Sequence, residues 1–205
     1  MEKEIKDTDG RHLRSKKTRQ KLLKAARDVF LKEGFQHATI NQIIKLANTG
    51  YGTAYTHFAG KDELLIVLIE DVMQRFFEIA RFTFLPASKE EAKKIIVGQV
   101  LTFFQIAESE RDILKVFAEA IGLSTAIKTK WEEIRHQFIQ TIMNDITYSQ
   151  QKGLARKDLN VGLVARQWFY ANEMYQWEIV HHRHEATLEE IANTITTMYT
   201  DALYL

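Results

Sequence analysis

Apolar residues recur at helical spacing along nearly the whole chain, and no stretch alternates between apolar and polar residues as a β-strand would. The sequence therefore predicts an all-α protein. Capping residues and helix breakers divide the pattern into about nine helices. These helices are expected at residues 16–33, for about eight residues after Thr39, and at 51–57, 61–84, 88–108, 109–123, 125–152, 161–182 and 187–203.

The fourth predicted helix differs from the others because its apolar residues surround nearly the whole helix axis. Such a helix must be covered on several sides, as a connector between two layers of structure would be. Gly34 is the expected left-handed stop of the first helix, and Pro86 is expected to end the fourth. Capping boxes are predicted at Thr39, Ser88 and Thr187, and Asn160 is a further predicted cap.

Composition places the chain among ordinary globular proteins. Of its 205 residues, 45% are apolar and 27% are charged, which is too apolar for a disordered chain. The absence of cysteine excludes disulfides and thiolate chemistry. The longest apolar run, Leu64 to Ile69, is far shorter than the roughly 20 residues of a membrane span, and no apolar secretory segment follows the polar N-terminus. A cytoplasmic protein without a membrane segment is expected.

Charge is distributed unevenly along the chain. Residues 1–62 hold 13 Lys and Arg against 7 Asp and Glu, whereas residues 63–205 hold 15 against 20. Within residues 11–24 there are seven basic residues and no acidic one. A basic N-terminal part on an acidic body indicates a polyanionic partner for that part alone. The alternative is a basic helix end that faces solvent and binds nothing.

The stretch from Thr39 to Phe58 has the spacing of a helix-turn-helix. A capped helix and a tight turn lead into a short second helix, which in this motif enters the major groove of DNA. Gly50 and Gly52 keep side-chain bulk away from the start of that helix, so its backbone N–H groups can approach phosphates. Spacing alone leaves open a plain helical hairpin inside a helical enzyme.

Residue identities within this region resemble the TetR family of bacterial regulators. The similarity covers about residues 15–65, and the rest of the chain matches only in helical layout. Thr49 and Gly50 depart from the usual Val-Ser of the family, which weakens the anchor of the turn and the cap of the second helix. The matching positions are Thr18-Arg19, Ala25-Ala26, Phe30, Gly34-Phe35, Thr39-Ile40, Gly52 to Phe58, and Lys61 to Leu64.

The resemblance implies a DNA-binding domain at residues 1–61, with a basic arm at 1–15 and the helix-turn-helix at 39–58. Its implied partner is double-stranded DNA with a palindromic operator. Phosphate contacts are expected from Thr39, Tyr55 and Lys61. Base-edge or groove contacts are expected from Asn41, Gln42, Tyr51, Gly52, Thr53 and Thr56. His57 either reaches a phosphate or is structural, Phe58 is expected in the core, and the arm either reaches DNA or is disordered.

The resemblance also implies that residues 62–205 bind a ligand and form a homodimer. The ligand is expected to be small and hydrophobic, and no cofactor is expected. For any single aromatic residue of this region, a plain packed core is the favoured alternative. The predicted cavity residues are Phe103, Phe104, Phe117, Trp131 and Phe138, with polar groups from Gln105, Glu119, His136 or Asn172. The predicted dimer face holds Val164, Trp168, Ala171 and Tyr175 on one helix and Ile191, Ile195, Met198 and Ala202 on the next.

Two other classes of protein compete with a ligand-released repressor. A helical-bundle enzyme is disfavoured because the sequence has no P-loop, no Gly-x-Ser-x-Gly and no His-Glu-x-x-His motif. The histidines at 181, 182 and 184 have the spacing of a transition-metal site, but they fall between two capped helices, where an exposed polar loop is expected and no metal. A protein-binding adaptor leaves the basic N-terminal part unexplained.

Overall fold

The computed structural model describes the backbone of residues 2–205 and the side chains of residues 12–205. Within that part of the chain the regular structure consists of nine helices, and the only extended pairing is an isolated bridge between Ala155 and Tyr204. The predicted all-α fold is confirmed. The helices are α1 (Glu2–His37), α2 (Ile40–Leu46), α3 (Tyr51–Tyr55), α4 (Lys61–Ala80), α5 (Lys89–Ser109), α6 (Arg111–Ile121), α7 (Thr125–Gln151), α8 (Val161–Val180) and α9 (Leu188–Leu203).

Helix α1 begins earlier than predicted. It starts at Glu2 and not at residue 16, because that stretch has no proline and a single glycine, which weakens a helix without ending it. The predicted left-handed stop is confirmed at Gly34, whose φ is 72°, and a short helical segment follows it to His37. The side chains of residues 1–11, and so most of the predicted basic arm, lie outside the described residues.

Helix α4 is shorter than predicted and ends at Ala80 instead of residue 84. The early end lets the chain turn, so that Phe84 and Pro86 become buried while Phe82 and Leu85 remain exposed. Phe84 joins the core that α5, α8 and α9 form. The predicted caps fit their helices, because the side chains of Thr39, Ser88, Asn160 and Thr187 each accept a hydrogen bond from the third residue of the helix that follows.

Two compact units make up the described chain. The first holds the residues up to Asp71 together with Val116–Lys128, and the second holds Val72–Lys115 and Thr129–Leu205. Helices α4, α6 and α7 therefore contribute residues to both units. The predicted division of the chain at residues 61 and 62 stays a prediction. The largest buried side chains of the first unit include Leu22, Phe30, Ile43, Leu64, Leu65, Ile69 and Phe117.

The second unit has its core between α5, α8 and α9. Leu203 and Tyr204 close this core at the C-terminus, where the N–H of Arg156 donates to the carbonyl of Leu203 at 2.9 Å. Over residues 2–205, none of the helices combines the length and the apolar character that crossing a membrane would demand.

Candidate functional site

Helix α2 begins with a capping box, which uses hydrogen-bonding groups of two predicted DNA-contact residues, Thr39 and Gln42. The N–H of Gln42 donates to Thr39 Oγ1 at 3.3 Å, and the N–H of Thr39 donates to Gln42 Oε1 at 2.7 Å. The Thr39 hydroxyl also donates to Gln42 Oε1 at 2.8 Å. The carbonyl oxygen of Gln42 is therefore used within the chain, so its amide NH₂ is the group that remains for a partner.

The turn between α2 and α3 is made without a side-chain cap. Asn48 has a φ of 49°, in the left-handed region that asparagine tolerates better than most residues. Gly50 caps α3 with backbone groups alone, as expected from its departure from the family pattern. The Thr49 hydroxyl is buried without a hydrogen-bond partner among the described residues. Packing holds the turn instead, because Ile43, Ile44 and Ala54 are buried.

Helix α3 presents most of its predicted DNA-contact residues to solvent. Tyr51 is 57% exposed and Tyr55 is 51% exposed, and Gly52 and Thr53 are exposed between them. A Cβ atom at Gly52 would meet nothing within 4 Å. Because neither packing nor a positive φ requires glycine there, the missing side chain leaves room for a partner from outside the chain.

The residues at the end of α3 differ in whether their side chains can contact a partner molecule. Thr56 is exposed, but its hydroxyl donates to the carbonyl of Thr53 at 2.7 Å, so it can only accept a hydrogen bond from a partner. His57 is half-buried and its predicted role stays open. Phe58 is buried, as expected of a core residue, and the guanidinium of Arg19 lies 5.1 Å from its ring centroid.

A surface concavity between α2 and α3 brings several predicted contact residues together. Asn41 and Gln42 lie on one side of it and Tyr51 on the other. Lys45 lies in the same concavity and was missed by sequence reasoning. Its position four residues after Asn41, on the exposed face of α2, is the signal that could have found it. Lys45 adds a positive charge beside the start of α3.

Lys61 is engaged within the first unit. Its ammonium group donates to the carbonyl oxygens of Phe35 at 2.7 Å, Ala38 at 3.0 Å and Gln36 at 3.4 Å. It also lies 4.4 Å from the centroid of the Phe35 ring. Three carbonyls match the three hydrogens of an ammonium group, so Lys61 acts as a cap for the end of α1. Its predicted phosphate contact stays a prediction.

Glu119 does not lie at the cavity where sequence reasoning placed it. Its carboxylate accepts the backbone N–H of Phe35 at 3.0 Å and that of Gln36 at 3.1 Å. These N–H groups point outward because Gly34 interrupts α1 with its positive φ. A Cβ atom at Gly34 would lie 3.0 Å from Glu119 Oε2, so glycine is needed for both the backbone angle and the close approach.

The second unit contains a cavity with aromatic walls and a free volume of about 90 Å³, which about three water molecules occupy in the liquid. Phe103, Trp131 and Phe138 line it as predicted. Phe104 and Phe117 are corrections, because Phe104 is buried in the core with α8 and α9 and Phe117 is buried in the first unit. Further lining residues include Met73, Phe76, Ala80, Phe84, Trp168, Phe169, Tyr199 and Tyr204.

The polar groups of the cavity come mainly from α7 and α8. Among the four suggested polar residues, Asn172 lines the cavity, whereas Gln105 and His136 are exposed elsewhere. Asp145 and Glu173 were missed. Glu173 is buried, and its Oε1 accepts hydrogen bonds from Trp131 Nε1 at 3.0 Å and from Arg135 Nε at 2.9 Å and Nη2 at 2.6 Å. Burial raises the pKa of the Asp145 carboxyl to about 7.

The residues predicted for the dimer face do not all share one surface. Ile191 and Ile195 are corrections, because only 5% and 7% of their surfaces are exposed and both pack into the core of their own unit. Trp168 stacks on Tyr199 at 4.2 Å between ring centroids and lines the cavity. Val164 and Tyr175 are partly buried against the same core, and Ala171 is also half-buried.

Met198 and Ala202 are exposed as predicted, and Met198 is 70% exposed. Helix α8 adds exposed apolar residues that sequence reasoning missed, namely Leu163, Tyr170 and Met174. Their spacing of seven and four residues places all three on one side of α8. This spacing was visible in the sequence, but the larger aromatic residues beside it gave an equally regular stripe.

The three histidines after α8 have separate partners. His181 Nδ1 pairs with the carbonyl of Trp177 at 2.8 Å, and His184 Nδ1 pairs with that of Ala186 at 2.9 Å. The His182 ring contacts the guanidinium of Arg111. Among the side chains of residues 12–205, no group of three or more His, Asp or Glu is arranged to hold a metal ion.

Comparisons with known proteins indicate the class of protein that has this fold and an exposed α3. The family model described as "Bacterial regulatory proteins, tetR family" matches residues 22–68. The regulator UidR of Escherichia coli K12 is 27% identical over 162 residues, which cover 77% of this chain and 79% of UidR. The repressor NicS of Pseudomonas putida is 27% identical over 157 residues, 76% of this chain and 74% of NicS.

Solved structures with the same fold include GusR of Salmonella enterica, with a TM-score of 0.72, 20% identity and coverage of 90% of this chain and 94% of GusR. The SmeT–triclosan complex has a TM-score of 0.74, 16% identity and coverage of 92% of both chains. The molecule is a helix-turn-helix, DNA-binding transcriptional regulator. Its similarity to the TetR family of bacterial regulators rests on residues 22–68 and on relatives that are 27% identical.

Proposed function

We propose that the chain is a homodimeric repressor that binds a palindromic operator and leaves it when a small hydrophobic ligand fills the cavity of the second unit. The exposed surface of α3 carries this proposal. Tyr51, Thr53 and Tyr55 are exposed beside the buried Ala54, and Gly52 leaves open space between them. An α-helix with such a surface fits the width of the major groove.

The proposed contacts divide into phosphate and base contacts. Thr39, Tyr55 and Lys61 contact phosphates, and Lys45 joins them because its charge lies in the concavity beside Tyr51. Asn41, the free NH₂ of Gln42, Tyr51, Thr53 and Thr56 face base edges, while Gly50 and Gly52 allow the backbone to approach. Phosphate contacts fix the position on the duplex, whereas base contacts select the sequence.

The proposed dimer uses the exposed apolar side of α8 and α9. Leu163, Tyr170 and Met174 on α8, together with Met198 and Ala202 on α9, leave apolar surface that the unit itself does not cover. Four helices, two from each subunit, bury such surface as a bundle. A two-fold dimer then sets two copies of α3 about 34 Å apart, which matches half-sites one turn apart on a palindrome.

Helix α4 supports a mechanism for release. It is one continuous helix whose Met73, Phe76 and Ala80 line the cavity and whose first residue, Lys61, binds the end of α1. A ligand that displaces the later part of α4 therefore tilts its beginning and changes the separation of the two α3 helices. Near-complete release needs roughly 5 kcal/mol of differential affinity, which burial of a hydrophobic ligand can supply.

A selection of bound sequences from random duplex DNA tests the repressor proposal, followed by affinity measurements over a salt series. A palindromic product and a linear fall of log affinity with log salt are expected. Tyr51→Ala should weaken binding to the selected duplex, whereas Phe82→Ala, which removes an equally exposed aromatic ring from the second unit, should not. An enzyme or a protein-binding adaptor would bind no duplex DNA even at low salt. Absence of binding under those conditions would overturn the proposal.

A further inference from the structure

The cavity of the second unit carries two buried side-chain atoms without a hydrogen-bond partner among the described residues. Asn172 Oδ1 is an unpaired acceptor, although its Nδ2 donates to the carbonyl of Trp168 at 2.8 Å. Gln176 Nε2 is an unpaired donor on the same wall. Buried polar atoms are normally paired, so these atoms indicate that a bound molecule pairs with them.

The charges of the cavity have one sign. Asp145 and Glu173 are the two carboxyl groups on its wall, and no Lys, Arg or His is found among the lining residues that the structure describes. Arg135 donates from its Nε and Nη2 to Glu173 Oε1, so its charge offsets that carboxylate. The raised pKa of Asp145 is caused by burial, with no contribution from a cation among the described residues.

The helices around Asp145 supply no counter-charge to the cavity wall that the structure describes. Asp145 lies on α7, and α8 contributes Asn172, Glu173 and Gln176 to the same cavity. Burial raises the pKa of Tyr199 on α9 and of Tyr204 beyond it, and the nearby Asp145 raises both a little further. Helix α4 contributes Met73, Phe76 and Ala80, and α5 contributes Ile96, Gln99, Val100 and Phe103, and none of these residues is charged.

The aromatic walls favour a flat cation over other ligands. Phe76, Phe103, Trp131 and Phe169 line the cavity, and Phe103 meets Phe138 edge-on. An aromatic ring attracts a positive charge to its face and packs against a planar ligand. A buried carboxylate and a buried ammonium are each costly alone, but they offset one another when they are paired with hydrogen bonds.

We propose that the cavity binds a small aromatic amine, with its protonated nitrogen against Asp145 and Asn172 Oδ1 and its ring among the aromatic walls. This inference rests on the proposed function, in which the same cavity receives the ligand that releases DNA. The free volume of about 90 Å³ limits the ligand to a single ring. A ligand carboxylate would instead lie between two acidic side chains with no lining cation to receive it.

Calorimetric titration with three single-ring probes of one shape tests this inference: benzylamine, benzyl alcohol and benzoate. At about pH 8 the amine should bind at least about ten-fold more tightly than the alcohol, and the benzoate should bind most weakly. Asp145→Asn keeps the shape and removes the charge, so it should abolish the preference for the amine and leave the alcohol unchanged. Glu132→Gln, on the exposed side of α7, is the matched control and should behave as the parent protein does.

A pH series on the unsubstituted protein gives a second readout that does not depend on folding of a variant. Because protonation removes the charge of Asp145, the preference for the amine should shrink as the pH falls below about 7. Equal affinity for the three probes, no binding of any of them, or an unchanged preference in Asp145→Asn would each overturn the inference.

Release of a bound operator duplex is measured separately and tests the proposed function. If the amine binds as expected but leaves the operator complex intact, the ligand class stands and the release mechanism fails. If the alcohol and the amine bind equally and both release the duplex, the release mechanism stands and the ligand class fails.

Discussion

The ammonium group of Lys61 donates to the carbonyl oxygen of Phe35 at 2.7 Å and lies 4.4 Å from the centroid of the Phe35 ring. The N–H of the same residue donates to Glu119 at 3.0 Å. Phe35 is thus held at its carbonyl by a cation from the first turn of α4 and at its N–H by an anion from α6. The end of α1, which supports the helix-turn-helix, is fixed by charges from two other helices.

Removal of the Lys61 charge should have two effects. Lys61→Ala leaves three carbonyls at the end of α1 without their donor, so we expect the free energy of unfolding to fall by about 1–3 kcal/mol. If Lys61 also neutralises a phosphate as proposed, the slope of log affinity against log salt should fall by about one. Chemical denaturation and a salt series of DNA binding measure the two effects.

Lys94→Ala is the control for Lys61→Ala, because Lys94 is an exposed lysine of α5 in the second unit. It should change neither the stability nor the salt slope. A loss of stability with an unchanged slope would leave Lys61 as a purely structural cap and remove it from the proposed phosphate contacts.

Gly34 should tolerate no side chain. Gly34→Ala combines a φ of 72° with a Cβ placed 3.0 Å from Glu119 Oε2, so we expect it to destabilise the protein by roughly 1–3 kcal/mol. The contact with Glu119 should account for part of this loss. In a double-mutant cycle with Glu119→Ala the alanine at position 34 should therefore be less destabilising, and thermal unfolding measures the difference.

Gly98→Ala is the matched control for the glycine prediction. Gly98 lies within α5 at normal helical φ, and a Cβ there meets nothing within 4 Å. The substitution should stabilise the protein by about 0.5–1 kcal/mol, because alanine loses less backbone entropy in a helix than glycine does. Equal effects at the two positions would show that the interruption of α1 has no special requirement for glycine.

The sequence predicted the helices well because their ends carry local signals. Each cap accepts a hydrogen bond from the residue three positions later in the chain, so it can be predicted without knowledge of the fold. The four caps are Thr39, Ser88, Asn160 and Thr187. The recognition helix was found for a similar reason, since its spacing and residue identities lie within one short segment.

Contacts between distant residues could not be predicted in this way. Nothing local distinguishes Glu119 from the other acidic residues of the body, yet it reaches Phe35, 84 positions earlier in the chain. On α9 the regular spacing of Ile191 and Ile195 was interpreted as a dimer face, although it is the side that packs into the core. When a helix has apolar residues on two sides, the core side and the exposed side show the same sequence periodicity. Only the packed structure tells which side is buried.

The exposed side of α8 and α9 should control association. Leu163 is 68% exposed and Met198 is 70% exposed, so a glutamate at either position should leave the core of the unit undisturbed. We expect Leu163→Glu and Met198→Glu to favour the monomer. Each substitution places a charge in the proposed four-helix bundle and removes an apolar side chain that would contact the other subunit. Sedimentation velocity measures the association, and thermal unfolding of the monomer checks the fold.

Leu123→Glu is the control for the association prediction, since Leu123 is an exposed leucine of the first unit. It should leave the oligomeric state unchanged. Affinity for a palindromic duplex should fall with dimerisation in the α8 and α9 variants, because one subunit reaches only one half-site. A dimer that survives both Leu163→Glu and Met198→Glu would place the interface elsewhere.

Asp145 should make the stability of the unliganded protein fall as the pH rises. Its folded pKa of about 7 lies above the ordinary value of 3.8, so the folded state binds more protons than the unfolded state between these values. Stability attributable to this group is therefore greatest near pH 4 and is lost as the pH rises through about 7.

Asp145→Asn removes the charge, so above about pH 7 it should raise the free energy of unfolding by roughly 2–4 kcal/mol, and the gain should shrink towards pH 4. Denaturation of the parent protein, Asp145→Asn and Glu132→Gln over this range measures the difference. A gain that does not vary with pH would mean that the asparagine acts through packing, whereas a loss at high pH would show that the ionised carboxylate has a partner in the folded protein.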